Sequence, residues 1–160
     1  MTGSGPGPSD AALREVGGFA LALDRSYQPG THMWVQLAGV GLVRIGMDPL
    51  GVETSGTLAQ LALPAVGAEL IAGRPCGQLE AVKFVGPLTS PVSGTVQAVN
   101  QAAVADPGLV ERDPFGAGWL IQAELTEPAE LDAMLADPDE ITAWYAAMIA
   151  EYRLSGAIAR

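Results

Sequence analysis

A single cysteine, Cys76, and a single histidine, His32, stand among the 160 residues. One thiol cannot close a disulfide within the chain, and the two residues together cannot build a Cys/His zinc cluster. Basic side chains are also scarce: 8 Lys and Arg face 18 Asp and Glu, a net charge of −10. That charge repels phosphate backbones and anionic membrane surfaces, so neither nucleic acid nor a membrane is expected as a partner. Although 49% of the residues are hydrophobic, no run approaches the roughly 20 apolar residues that cross a bilayer. The segment Met1 to Asp10 is rich in Gly, Pro and Ser. It has neither the basic start and apolar core of a secretory signal nor the arginines of a transit peptide, and it reads as a flexible tail over 1–12. A reducing cytoplasm is the expected location. Also missing are a metal-ligand set, a nucleophile elbow and a phosphate-cradling loop, which argues against catalysis by this chain.

What is present reads as one mainly β domain with tails. Gly17 to Asp24 and His32 to Met47 alternate apolar and polar positions between breaks at Gly30, Gly39 and Gly41, the pattern of short half-buried strands joined by hairpins. Further strands are expected at Thr57 to Leu61, Glu69 to Ile71, Pro75 to Val82, Gly94 to Val99 and Trp119 to Glu124. The run Gly94-Thr95-Val96-Gln97-Ala98-Val99 resembles Gly56-Thr57-Leu58-Ala59-Gln60-Leu61 at an offset of 38 positions (94 minus 56). Two such halves can bury their apolar faces against each other as a flattened barrel or sandwich. Asn100 to Arg112 is expected to hold short helical turns, and Asp113-Pro114-Phe115-Gly116 a sharp turn with Asp113, like Asn100, as a turn former.

Two helix starts follow, one at Thr126 with Pro128 and Glu130 inside it, and one at Asp137 with Pro138 first and Glu140 three residues after the cap. The second helix carries Ile141, Trp144, Tyr145, Met148, Ile149 and Tyr152 on one face and is expected to dock on the barrel. The predicted layout is a tail over 1–12, a β domain over 17–125 and packed helices over 126–155. His32 reads as a structural strand residue and Cys76 as a buried small hydrophobe.

Between the two repeated halves lies Leu79-Glu80-Ala81-Val82-Lys83, which places Lys83 at a turn where an amine can be displayed for modification. By itself, a lysine closing an apolar strand is more often a solubilising charge at a sheet edge, and Glu80 a solvated acid.

The ordered motifs change that weighing. His32-Met33-Trp34-Val35, Ile45-Gly46, Leu63-Pro64-Ala65-Val66-Gly67 and Glu80-Ala81-Val82-Lys83 are followed by Ser90-Pro91-Val92-Ser93-Gly94-Thr95-Val96-Gln97-Ala98-Val99-Asn100 and then by Pro107 to Leu120 with its Asp113-Pro114-Phe115-Gly116 turn. In this order they resemble the H protein of the glycine cleavage system, over about Tyr27 to Leu135. The resemblance implies a barrel-sandwich hybrid of the lipoyl/biotinyl-carrier type, with lipoate attached covalently to Lys83 and Glu80 read by the lipoylating enzyme. It also implies a non-enzymatic shuttle. Its partners would be a lipoate ligase or a lipoyl/octanoyl transferase, glycine decarboxylase, aminomethyltransferase and dihydrolipoyl dehydrogenase. Pro91 and Gly94 are expected to shape the turn opposite the lysine, glycine through its tolerance of positive φ.

Departures from the family pattern surround the lysine. Phe84-Val85-Gly86-Pro87 follows Lys83 where the family has small polar residues, Ser55-Gly56-Thr57 replaces a Leu-Gly-Asp step, and Pro49 to Thr54 replaces a Tyr-Ala-Gln stretch. They leave open two alternatives: an H-like lipoate-binding protein serving heterodisulfide-reductase-like sulfur oxidation with counterpart partners, and an unlipoylated interaction module. Biotin carriage is disfavoured because Val82-Lys83-Phe84 lacks the flanking methionines of biotin domains.

Overall fold

The computed structural model of the protein describes residues 7–159. The first six residues of the expected tail lie outside them, and Asp10–Ala12 form a single 3-10 turn. Eleven strands follow among the described residues: β1 Leu13–Val16, β2 Phe19–Ala22, β3 Ser26–Gln28, β4 Met33–Gly39, β5 Leu42–Met47, β6 Leu58–Ala62, β7 Glu69–Leu70, β8 Pro75–Ala81, β9 Val85–Thr89, β10 Gly94–Val99 and β11 Ile121–Leu125. The helices are α1 Pro49–Ser55, α2 Gln101–Ala105, α3 Gly108–Arg112 and α4 Pro138–Ser155. No helix among the described residues is long and apolar enough to cross a membrane.

The strands build a six-stranded sheet in the order β3-β4-β5-β11-β10-β7, a three-stranded sheet β6-β8-β9, and the separate hairpin β1-β2. The alternation read in the sequence fixes which side chains meet, because neighbours along a strand point to opposite faces. β5 and β11 pair so that Val43 opposes Ala123 and Ile45 opposes Ile121. These residues share one buried cluster with Leu58, Leu61, Leu79 and Leu88 of the three-stranded sheet and with Val96 of β10. The repeated segments thus fall in different sheets, β6 in one and β10 in the other, with Leu58 and Val96 in the same interior. Each such leucine contributes about 1.5–3 kcal/mol by leaving water, and the summed burial holds the sheets face to face. Cys76 lies in this interior as expected, and burial pushes its thiol up to about 11.

The outer face of the large sheet is buried as well. Trp34, between inward-facing Met33 and Val35, joins Tyr27, Leu50, Phe115, Ile141, Tyr145 and Ile149 in a second cluster. Helix α4 supplies the last three of these and packs Trp144 against Tyr27 with ring centroids 5.7 Å apart. Docking of α4 on the barrel is therefore as the periodicity predicts. The guanidinium of the buried Arg25 lies 4.6 Å from the Trp34 ring and 5.2 Å from Phe115, and its Nη1 donates to the Phe115 carbonyl. Stacking on aromatic faces lets this charge lie inside.

Several local expectations change. Pro49 to Ser55 is a helix, unread in the sequence although Asp48 before Pro49 is a cap signal. Gly94 does not have positive φ; a Cβ there would run into the Glu124 carbonyl oxygen, so close backbone approach is what demands glycine. The segment after Thr126 is a 3-10 helix, Pro128–Ala133, entered at Glu127, and the Glu130 carboxylate accepts from the Ser93 backbone N–H (2.7 Å) and hydroxyl (2.9 Å), holding the Ser90-to-Ser93 turn. Asp137 caps α4 by accepting from the N–H groups of Asp139 and Glu140, with no return bond from the Glu140 side chain. Asn100 is more than a turn former: its buried amide donates to the carbonyls of Ala117 and Trp119, both at 2.7 Å. Asp113 does hold its turn, accepting from the Ala117 N–H at 2.9 Å.

Candidate functional site

Strands β8 and β9 form a hairpin in which Leu79 opposes Gly86 and Glu80 opposes Val85. The chain reverses through Val82, Lys83 and Phe84, all exposed, and the Ala81 N–H closes the turn on the Phe84 carbonyl at 2.7 Å. Lys83 therefore sits at the hairpin tip expected from the sequence.

The tip is stapled from the side. The Val82 N–H donates to the Thr57 carbonyl at 3.0 Å and the Lys83 N–H to the Ser55 carbonyl at 2.8 Å, so the end of α1 and the start of β6 fix the backbone of the turn. Gly56 lies between those two acceptors at φ +78°, a left-handed conformation that glycine adopts without strain. The stem of Lys83 runs across it. Among the described residues no carboxylate oxygen comes within 4 Å of the Lys83 ammonium; the ion pairs present involve Arg14, Arg25, His32 and Arg112. Glu53 and Glu111 line the same shallow concavity as Lys83 without pairing to it. The Glu111 carboxylate is held instead by the Leu58 N–H at 3.1 Å.

Glu80 is exposed on β8, three residues before the lysine and directly across from Val85. On the other side of the tip, Phe84 folds over Gly86 and forms one wall of a cleft of about 240 Å³, whose opposite wall includes His32, Gly51 and Ser55. That cleft offers apolar surface from Met33, Met47, Leu79 and Leu88 together with the hydroxyls of Thr54, Ser55 and Thr89. No grouping of His, Cys, Asp and Glu among the described residues fits a metal ion.

Beneath the cleft lies a polar network that the sequence reading did not anticipate. His32 precedes β4 rather than lying within it, at φ +58°. Its Nδ1 faces both Asp48 carboxylate oxygens at 3.3 Å, and its Nε2 contacts the Tyr152 hydroxyl at 2.9 Å. Asp48, fully buried, also accepts from the Gly51 N–H (2.8 Å) and the Tyr145 hydroxyl (3.2 Å), and that hydroxyl in turn accepts from the Leu50 N–H at 2.8 Å. Burial by itself would lower the His32 pKa, but the hydrogen bond to Asp48 and its charge outweigh burial, and the imidazole is held above its ordinary value. The same network raises the Tyr145 phenol, first through burial and then through the Asp48 charge. One strand-proximal histidine, one helix cap and two tyrosines of α4 are thus tied into a single unit, and no local sequence signature shows that these members meet.

Comparison with known proteins agrees with this geometry. The family model described as "Glycine cleavage H-protein" matches residues 25–147. The glycine cleavage system H protein of Mycobacterium leprae is 40% identical over 105 residues, covering 66% of this chain and 80% of that protein. The one from Beutenbergia cavernae is 42% identical over 113 residues, covering 71% and 90%. A crystal structure of the glycine cleavage system H protein from Mycobacterium marinum superposes with a TM-score of 0.62 at 40% identity, covering 66% of this chain and 87% of that one. The ordered motifs, the two-sheet barrel and these matches lead to one conclusion: the chain belongs to the glycine cleavage H-protein family, and its function is that of the family's lipoyl carriers.

Proposed function

We propose that Lys83 is the attachment point of a covalently bound lipoyl group, and that the chain shuttles a lipoamide-bound intermediate between the partner enzymes of glycine cleavage. The observation that carries this reading is an exposed lysine amine, with no carboxylate of the described residues within 4 Å, on a turn whose backbone is pinned by Ser55 and Thr57. Rigid backbone with a free amine suits a residue that must be found by a modifying enzyme and must then project a long arm.

Acylation requires the neutral amine. The ammonium gives its proton to a base of the modifying enzyme, Nζ attacks the carbonyl of an activated acyl donor, the C–N bond forms, and the bond to the leaving thiol or phosphate breaks. The lipoyl group, once attached, supplies a reducible disulfide on a flexible arm. The chain's own residues hold that arm's root in place, through the Ser55 and Thr57 carbonyls that pin the turn. Glu80 acts in this reading as an acidic mark for the lipoate ligase or the lipoyl/octanoyl transferase.

The same reading makes the chain a substrate of enzymes with no turnover of its own, acting in the cytoplasm. It takes 17–125 as the carrier domain and 126–155 as helices packed on it. Glycine decarboxylase, aminomethyltransferase and dihydrolipoyl dehydrogenase are the users it implies.

Expression of the full chain with a complete lipoylation system should give an intact mass carrying one lipoyl adduct, and the Lys83→Arg variant should carry none. An unmodified wild-type chain, under conditions that fully modify a control carrier, would defeat the proposal. So would an adduct that persists in the variant.

A further inference from the structure

The tip that presents Lys83 is unusually apolar for a solvent-facing turn. Val82 is 76% exposed and Val85 68% exposed, while Phe84, folded over Gly86, still leaves 41% of its surface in water. Isolated exposed hydrophobes need no explanation, but three beside one exposed lysine form a contiguous patch. Carboxylates flank it on both sides, Glu80 beside Val85 on one and Glu53 with Glu111 beside Lys83 on the other, and among the described residues none of the three forms an ion pair.

We infer that Val82, Phe84 and Val85, framed by Glu53, Glu80 and Glu111, are the contact face through which the enzyme that acylates Lys83 binds this chain. The inference rests on the lysine being acylated and goes beyond it in assigning what the enzyme grips. Geometry makes the contact necessary. A lysine side chain reaches only about 6 Å from its Cα on bond-length grounds, so a catalytic cleft that encloses Nζ must also cover the side chains next to it.

The chemistry of the face sets the chemistry of the partner: an apolar depression for the three side chains, ringed by Lys or Arg for the carboxylates. Strand addition along the neighbouring edge is opposed, since β9 is an outer strand and Pro87 in its middle has no N–H to donate. The partner is therefore held through side chains at the tip.

The test uses the full-length chain, a purified octanoyl transferase and an octanoyl thioester donor, with product followed by intact mass. In that reaction the thioester C–S bond breaks, the amide C–N bond forms and the thiol leaves with the amine proton. The variants Val85→Thr and Phe84→Ser are expected to raise KM for the chain about tenfold each while leaving kcat within about twofold, the signature of lost ground-state contact. Glu53→Gln should flatten the rise of KM with ionic strength seen for the wild type. Exposed positions leave the fold intact, which a thermal melt of each variant checks.

Wild-type turnover with KM unchanged in both apolar variants would overturn the inference and leave the attachment site standing. Wild-type turnover with no dependence on ionic strength would overturn the acidic frame. A wild-type chain that is never acylated would defeat both the contact face and the attachment reading.

Discussion

Gly56 and Lys83 are in contact across the base of the displayed turn: a Cβ on Gly56 would stand 3.2 Å from Lys83 Cε and 3.5 Å from its Cγ. With φ at +78° and ψ at −163°, the same position also penalises any side chain through its backbone, by about 1–3 kcal/mol. The absence of a side chain at residue 56 thus lets the lysine stem lie flat over the α1–β6 junction that pins its backbone.

Gly56→Val should leave the barrel folded and slow acylation of Lys83 on the order of tenfold, because displacement of a reacting group by a fraction of an ångström is amplified in rate. A time course of intact mass with the modifying enzyme checks this. An unchanged rate would mean that the stem's path over Gly56 is irrelevant to its presentation.

Gly46→Ala tests the outer face of the large sheet. A Cβ at Gly46 would overlap Cζ2 and Cε2 of the fully buried Trp34, whose indole N–H donates to the Pro114 carbonyl at 3.1 Å. With the ring hemmed in by Phe115 and the Arg25 guanidinium, relief requires movement of several groups. Destabilisation of about 1–3 kcal/mol is expected, measured as a lowered urea midpoint with an unchanged slope.

Asp48→Ala removes an acceptor used by the Gly51 N–H, the Tyr145 hydroxyl and His32. Loss of the cap and of the buried partner together should lower stability by about 3 kcal/mol. Asp48→Asn keeps an oxygen for the Gly51 N–H and removes only the charge, so its loss should be smaller. Equal losses in urea titrations of the two variants would show that the charge, and not the cap, dominates.

The same pair gives a pH dependence of defined sign. His32 has a folded-state pKa above the ordinary 6.5, so the folded chain binds the proton more tightly than the unfolded chain. Its contribution to stability is then fully present below pH 6.5 and fades as pH rises through the raised folded value. Thermal melts across this range should show that decline in the wild type and its absence in Asp48→Asn. A wild-type melting temperature that climbs through the same window would contradict the sign.

The motif Glu80-Ala81-Val82-Lys83 is continuous in sequence, and strands β8 and β9 are local neighbours, so a hairpin tip follows from alternation and a turn without long-range information. The Ser55 and Thr57 staples, by contrast, come from residues more than twenty positions away, and α1 there was unread because a seven-residue helix shows too little periodicity to stand out from a loop. For Gly94 the residue type was rightly singled out but the reason was not: steric approach by Glu124 depends on strand pairing, which positive φ does not require. The frames of the repeated segments were legible, since period-two alternation assigns inward and outward positions whichever sheet receives them.

By itself the sequence determined the β character, most of the strands though not β1, β3 or β9, the exposed place of Lys83 and the amphipathic face of α4, because each depends on spacing within a few residues. Only the tertiary structure decided that Asp48, His32, Tyr145 and Tyr152 form one network, that Gly56 lies under the lysine stem, and that Arg25 rests between Trp34 and Phe115. The contacts of that network join segments from 16 to 120 residues apart, as His32 is from Asp48 and from Tyr152. Residues so distant are brought together by the collapse of two sheets and a helix onto shared apolar surface, a force without direction that leaves no local periodic mark on the residues it gathers.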